Sequence, residues 1–175
     1  MDLFNNLLVR KAFANPKLRQ HIVNKGTMFL YCDYAGFASR NVYGAACCMV
    51  FNRTISLSAK KLPLTKDYGS NYGEMMAIKF SLETLAGALM EHQPKIAVIF
   101  TDCIRISHLL AQSHVREERG REELAATLAS LNLLYPDVSI QIKYMSKHKK
   151  NNHLHRLAHN AARETALANV GIEKP

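Results

Sequence analysis

The sequence lacks the features that mark several classes of protein. Its four cysteines, Cys32, Cys47, Cys48 and Cys103, form no C-x-x-C pair, which argues against a zinc site and against a disulfide framework. No stretch approaches the roughly 20 consecutive apolar residues that a membrane-spanning helix needs. The amino-terminal segment does not read as a secretory signal, because its basic residues follow the apolar ones. We therefore expect a cytoplasmic protein with buried, reduced thiols and no membrane partner.

Carboxylates are also scarce, which leaves the chain strongly basic. Lys and Arg number 23 and Asp and Glu number 14, for a formal net charge of +9. Such an excess favours a polyanionic partner, most often a nucleic acid. Apolar residues make up 48% of the chain, which excludes a disordered protein. A chain of 175 residues with this composition is typical of one compact domain, alone or with a short arm.

Residues 1–26 are predicted to form a helical arm before a domain at 27–175. Apolar residues recur at helical spacing from Leu3 to Phe13. Two interpretations stay open. The helix packs on the domain, or it docks a protein partner or a second copy of the chain.

The pattern within 27–175 predicts an α/β fold. Three strand-like runs with short links indicate an antiparallel meander, and a later apolar run ending in an acid is typical of a buried parallel strand. The predicted order is β-β-β-α-β-α-α-β-α, a mixed sheet with helices on its faces. The segments, in order, are TMFLYCDY, VYGAACCMVF, RTISLSAKKL, GEMMAIKFSLETLAGAL, KIAVIFTD, CIRISHLLAQ, ELAATLASLNLLY, VSIQIKYM and NNHLHRLAHNAARETALA.

Three carboxylates stand apart from the others. Asp33 ends the first strand, Asp102 ends the buried strand, and Glu74 lies in the first turn of the long helix. Asp102 alone is also explained as the N-cap of the next helix, and Asp33 as a partner for turn amides. The two strands are neighbours in such a sheet, so the three carboxylates are expected to meet at one edge. They would repel one another unless a divalent cation, such as Mg²⁺ or Mn²⁺, lay among them.

Four local motifs in this order resemble those of the ribonuclease H family, in its reverse-transcriptase-like branch. They are Y-C-D-Y-A-G, S-N-Y-G-E-M-M-A-I, F-T-D-C and M-S-K-H-K-K-N-N-H-L-H-R-L-A, and they cover residues from about 27 to 168. The resemblance implies a ribonuclease H-like fold with a five-stranded mixed sheet in the order 3-2-1-4-5. It also implies a two-metal site, with two Mg²⁺ or Mn²⁺ ions, that hydrolyses the RNA strand of RNA–DNA hybrids.

The resemblance assigns catalytic and metal-ligand roles to Asp33, Glu74 and Asp102. In the fourth motif, His155 stands where the family has its last aspartate, and an imidazole there suits Mn²⁺ better than Mg²⁺. His159 lies on the same helical face one turn later and is an alternative to His155. His148 stands where the family carries a mobile residue near the scissile phosphate.

A basic segment overlaps the fourth motif, and Tyr34-Ala35 replaces the family's usual Gly-Ser after the first aspartate. No acidic residue interrupts the segment between Lys143 and Glu164. It either binds phosphates or forms a solvated basic helix face. The residues expected to contact nucleic acid are Asn71, Lys147, Lys149, Lys150, Asn151 and Arg156.

Three functions are compatible with the sequence. The first is a metal-dependent endonuclease of the ribonuclease H type acting on RNA–DNA hybrids. The second is a catalytically weak or inactive nucleic-acid-binding module of the same fold, with His155 as the residue that separates it from the first. The third is an interaction protein that recruits a partner through its amino-terminal helix.

Overall fold

The computed structural model describes residues 3–106, 120–145 and 151–168. The predicted helix CIRISHLLAQ lies outside these ranges from residue 107 onward. The elements in chain order are α1 (Leu3–Ala14), α2 (Pro16–Val23), β1 (Thr27–Phe37), a short 3₁₀ turn (Ala38–Arg40), β2 (Val42–Phe51), β3 (Thr54–Lys61), α3 (Ser70–Leu89), β4 (Ile96–Thr101), α4 (Arg121–Leu134), β5 (Ser139–Tyr144) and α5 (His153–Leu167).

The five strands form one mixed sheet in the order β3-β2-β1-β4-β5. Strands β1, β2 and β3 form the predicted antiparallel meander, while β4 runs parallel to β1 and β5 runs parallel to β4. The predicted fold class, sheet order and mixed pairing are confirmed. Strand β1 therefore lies at the centre of the sheet.

Alternate residues of β1 serve two cores on opposite faces of the sheet, as the two-residue period of a strand requires. Met28, Leu30 and Cys32 pack in the core under α3 and α4. Tyr31 and Ala35 pack in the core under α5 and the amino-terminal helices. Helices thus cover both faces of the sheet, and β1 contributes buried residues to both cores.

Small residues let α5 lie close against the sheet. A Cβ atom added to Gly44 of β2 would meet the backbone of α5 at Ala162 and Ala166. The helix presents Ala158, Ala161 and Ala162 among its buried residues. This close approach fixes the height of α5 above β1, and so the position of every side chain that α5 directs toward that strand.

Helices α1 and α2 pack on the α5 side of the sheet. Leu8, Ala12, Leu18 and Ile22 are buried there. Asn15 caps α2, its side-chain oxygen accepting from the Lys17 and Leu18 amides. Of the two interpretations of the arm, the structure supports packing on the domain, while the domain boundary at residue 26 stays a prediction.

His21 of α2 joins an aromatic stack on the same face. Its ring lies parallel to Phe29, with centroids 3.9 Å apart, and to Phe100, with centroids 5.9 Å apart. Its Nδ1 atom is hydrogen-bonded to the Tyr31 hydroxyl. Tyr31 is buried, so its ring packs within the core of this face.

The four cysteines are free and buried, as predicted. In the part of the chain that the structure describes, no helix is both long enough and apolar enough to cross a membrane.

Candidate metal centre

The register of the two central parallel strands brings two acids together. Tyr31 of β1 is paired with Phe100 of β4, the last pair of that ladder. Two residues further along the chain from this pair come Asp33 and Asp102. Asp102 is the first residue after β4, whereas Asp33 lies within β1 and not at its end as expected, because β1 continues to Phe37 in its pairing with β2. Because parallel strands run in step, both acids lie at the same edge of the sheet. The sequence-based expectation that these two carboxylates are neighbours is therefore explained by the strand register.

Helix α5 places a third group at this edge. Its N-cap residue is Asn152, whose side-chain oxygen accepts a hydrogen bond from the His155 amide at 2.9 Å. This cap fixes the first turn, in which Leu154 is buried in the core, and Leu157 is buried at the start of the second turn. The same turn directs His155 inward, and its exposure is only 7%.

Asp33, Asp102 and His155 form a compact set of ligand atoms. One oxygen of each carboxylate and one imidazole nitrogen all lie within 4.8 Å of one another. The distance from His155 Nε2 to Asp33 Oδ1 is 3.6 Å, too long for a hydrogen bond. His155 Nε2 is buried and has no hydrogen-bond partner among the residues that the structure describes. A divalent ion between these atoms would give this nitrogen a partner, so the residues present fit a metal.

His159 contacts the other oxygen of Asp33. Its Nδ1 atom lies 2.7 Å from Asp33 Oδ2, the distance of a hydrogen bond to a charged acceptor. From the sequence, His155 and His159 are alternatives for one role, but both lie beside Asp33, one near each oxygen. The i, i+4 spacing of the two histidines predicted that they would lie together, since it places both rings on one face of α5.

Glu74 lies near these groups but outside the set of atoms within 4.8 Å. Burial raises the pKa of the Cys32 thiol well above its ordinary value, and the charges of Glu74, Asp33 and Asp102 raise it further. The charges of the three acids thus act on one buried side chain. Since α3 begins at Ser70, Glu74 lies in the second turn of the helix. The sequence-based prediction that it lies in the first turn is wrong.

Tyr34 fills the space beside Glu74. A Cβ atom added to Gly73 would collide with the Tyr34 ring, so this ring lies directly over the helix backbone. Burial, together with the charges of Asp67, Tyr43 and Glu74, raises the pKa of Tyr34 to about 12. Tyr34 thus packs against α3, next to a predicted ligand.

The residues expected to contact nucleic acid fall in two groups. Asn151 and Arg156 are exposed near the amino end of α5. Asn71 is half-buried, and its Oδ1 atom lies 4.0 Å from Cys103 Sγ, just past the end of β4. His148, Lys147, Lys149 and Lys150 lie outside the described residues.

Among the solved structures similar to this chain are two ribonucleases H1 and a viral protease–reverse transcriptase. Ribonuclease H1 from the halophilic archaeon Halobacterium salinarum NRC-1 has a TM-score of 0.58 and 15% identity, covering 80% of this chain and 97% of that one. LC11 ribonuclease H1, isolated from compost by a metagenomic approach and solved with an RNA/DNA hybrid, has a TM-score of 0.59 and 14% identity, covering 78% and 97%. The foamy viral protease–reverse transcriptase, also solved with an RNA/DNA hybrid, has a TM-score of 0.55 and 16% identity, covering 83% of this chain and 20% of that one.

These comparisons identify the architecture. The chain has a ribonuclease H-like fold. By sequence, no protein-family model and no curated protein matches it.

Proposed function

We propose that this chain is a metal-dependent endonuclease of the ribonuclease H type, which hydrolyses the RNA strand of RNA–DNA hybrids. The observation that carries the proposal is the convergence of Asp33, Asp102 and His155 at one edge of the central sheet. The likeness in fold to two proteins solved with RNA/DNA hybrids supports this substrate class. Phosphate binding by a chain of net charge +9 is consistent with it.

The residues at the site divide into ligands and substrate contacts. Asp33 Oδ1, an oxygen of Asp102 and His155 Nε2 would hold a divalent ion, and Glu74 is a further acid whose charge acts on the same buried thiol, Cys32, as those of the two aspartates. When bound, such an ion supplies charge stabilisation and an activated water for phosphodiester hydrolysis. Buried Asp33 and His155 keep the ligand end of the site dry, which strengthens its electrostatic interactions.

The exposed residues around this centre would position the substrate. Arg156 lies one residue after His155 on α5, and Asn151 precedes the helix. Cations and amides of this kind bind phosphate and sugar oxygens without reading sequence. The basic residues Lys147, Lys149 and Lys150 belong to the same proposal on the strength of the sequence motif alone. A candidate role for His148, near the scissile phosphate, also comes from that motif.

A cleavage assay tests the proposal. An RNA–DNA hybrid labelled on the RNA strand is incubated with the full chain in Mg²⁺ and, separately, in Mn²⁺. We expect cleavage of the RNA strand only, and no cleavage of duplex DNA. Asp102→Asn, which keeps the shape but removes the charge, is expected to lower the rate at least about 100-fold. Equal rates for the two proteins would show that the activity comes from a contaminant or from another site.

The two histidines at Asp33 favour a second candidate. The His159 imidazole, 2.7 Å from Asp33 Oδ2, partly satisfies this carboxylate without any ion, and His155 adds a second imidazole 3.6 Å from Oδ1, as expected of a nucleic-acid-binding module that has lost its activity. Such a module would bind the hybrid with ordinary salt dependence and cleave it in neither metal. The same assay, run beside a binding measurement, separates the two functions.

A further inference from the structure

We infer that a cavity between α2 and the carboxyl ends of β4 and β5 binds one nucleotide unit, a nucleobase with its phosphate. The cavity lies on the α5 face of the sheet and has a volume of about 330 Å³. Sites for small molecules measure about 300–1,000 Å³, so one nucleotide is near the largest ligand that this cavity holds. Among the residues that the structure describes, none of the candidate metal ligands lines it.

One wall of the cavity is aromatic. The rings of His21 and Phe100, both half-buried, line it, and their planes are only 7° apart. A planar ligand that stacks on one ring is therefore nearly parallel to the other. Burial, followed by the charge of Lys17, lowers the pKa of His21, so this ring is neutral at pH 7. Aromatic side chains in such an arrangement are the surfaces on which nucleobases stack.

Three asparagines, Asn15, Asn151 and Asn152, supply hydrogen-bonding groups around this wall. Asn15 caps α2 and Asn152 caps α5 through their side-chain oxygens, which holds both amides in place before any ligand arrives. Asn151 is exposed, and its amide both donates and accepts. The edges of nucleobases carry donors and acceptors side by side, which amides match.

The charge at the cavity favours a ligand with an anionic group. Lys17 lines it, and no Asp or Glu is among the described residues that do so. The effect of Lys17 on the pKa of His21 indicates that the ammonium group acts on the aromatic wall. A planar ligand stacked on that wall would therefore carry its negative charge beside Lys17. Base, hydrogen-bonding edge and phosphate together describe a nucleotide.

The cavity adjoins the candidate metal centre on the other side of the first turn of α5. Asn152 lines the cavity and accepts the His155 amide at 2.9 Å. Met145 also lines it, and its amide donates at 2.7 Å to the carbonyl of Thr101, the residue before Asp102. Two sources thus offer the same chemistry here, a free nucleotide and an unpaired nucleotide of a nucleic-acid strand. The inference goes beyond the proposed function, because nucleotide binding requires no hydrolysis.

Saturation-transfer difference NMR with AMP and the full chain tests the site. The buffer contains EDTA, so that no divalent ion links the phosphate to the acids of the metal centre. We expect saturable binding of AMP. Ribose 5-phosphate, which lacks the base, and adenosine, which lacks the phosphate, should each bind at least about tenfold more weakly.

Two pairs of variants locate the binding. Lys17→Glu should weaken AMP binding about tenfold or more. Arg19→Glu makes the same charge change at an exposed residue of α2 outside the cavity, and its effect should stay within about twofold at roughly 0.15 M salt. Phe100→Leu removes a stacking ring and should weaken AMP binding about fivefold or more. Phe80→Leu, at a half-buried ring on the opposite face of the sheet, is its control. Circular dichroism monitors folding.

Fluorescence anisotropy then distinguishes the two sources. The chain is titrated into a blunt RNA–DNA hybrid and into hybrids with one unpaired nucleotide at the 3′ or 5′ end. Tighter binding of an overhang, lost in Phe100→Leu, would identify a nucleotide of the strand as the ligand. Equal binding of all hybrids, with AMP still bound, would identify the free nucleotide.

Several results would overturn the inference. Ribose 5-phosphate binding as tightly as AMP would show that no base is recognised, and equal losses in Lys17→Glu and Arg19→Glu would show a general attraction of anions. If Phe100→Leu does not fold, the two exposed charge variants decide. Binding of AMP by a chain that cleaves no hybrid would uphold this inference and defeat the proposed nuclease, whereas hybrid cleavage without AMP binding would do the reverse.

Discussion

The ring of Tyr34 in β1 lies over the backbone of Gly73 in α3, so closely that a Cβ atom at residue 73 would collide with it. Gly73 immediately precedes Glu74 in α3. The packing of this tyrosine against this glycine therefore sets the distance between the first strand and the helix that carries the third acid.

Gly73→Ala is expected to destabilise the protein by about 1–3 kcal/mol, because the new methyl group overpacks the contact with Tyr34. Gly87→Ala, in the same helix, is the matched control. A Cβ atom there meets nothing within 4 Å, so it should stabilise by up to about 1 kcal/mol through helix propensity. Urea unfolding of both variants measures the difference.

A double variant shows whether Tyr34 causes the loss. Tyr34→Ala in the Gly73→Ala background removes the colliding ring, so the two changes should be non-additive by at least about 0.5 kcal/mol. Strictly additive losses would contradict the contact. The hybrid-cleavage rate, measured on the same proteins, reports whether displacing α3 also disturbs Glu74.

Substitutions at His155 test the metal preference of the site. With His155 as a ligand, cleavage should be faster in Mn²⁺ than in Mg²⁺. His155→Asp restores an all-oxygen donor set and should raise the rate in Mg²⁺ relative to Mn²⁺. His155→Ala should lower metal affinity about tenfold or more, while Leu154 and Leu157, both buried, keep α5 in place. Equal behaviour of the Asp and Ala variants in both metals would place His155 outside the site.

Much of the fold could be predicted from the sequence, because each strand carries its own pattern. The apolar run before Asp102 identified a buried parallel strand, and the short links identified the meander. The order 3-2-1-4-5, however, came from the resemblance, since local periodicity does not fix how strands pair across the sheet. The structure supplies the reason for the two neighbouring acids, which is the register of Tyr31 with Phe100.

The site was predicted less completely, because its details depend on side-chain directions. The spacing of His155 and His159 placed both on one helix face, but only the height of α5 above β1 brings each to a different oxygen of Asp33. That height depends on Gly44 of β2, a residue with no functional signal of its own. The packing of Tyr34 on Gly73 likewise joins residues far apart in sequence.

Arg156 provides a test of phosphate contact within the described residues. If its guanidinium neutralises a phosphate, Arg156→Ala should weaken hybrid binding and lower the log–log salt slope by about 1. Lys25→Ala removes the same charge at the amino end of β1, the opposite end of that strand from Asp33, and should leave the slope unchanged. Fluorescence anisotropy over a salt series measures both. Equal slopes for the two variants would assign Arg156 to the solvated face of α5.

The stability of the protein should decrease as the pH falls through the range in which His21 gains a proton. Burial against Phe29 and Phe100 lowers the pKa of His21 below its ordinary value of 6.5, and the charge of Lys17 lowers it further. The unfolded chain therefore binds more protons than the folded chain between the lowered pKa and 6.5. Stability then rises with pH across that window and is lost on acidification.

His21→Phe should make this dependence shallower, because phenylalanine keeps the stack with Phe29 and Phe100 but does not titrate. Burial and the charge of Lys11 also lower the pKa of His153, so part of the acid sensitivity will remain in the variant and should shrink further in His21→Phe/His153→Gln. Urea unfolding at pH 7.5 and pH 5 measures the loss for each protein. The variant also loses the hydrogen bond to the Tyr31 hydroxyl, which lowers stability equally at both pH values, so only the difference between them is diagnostic. A difference as large in His21→Phe as in the unaltered chain would show that other groups carry the acid sensitivity.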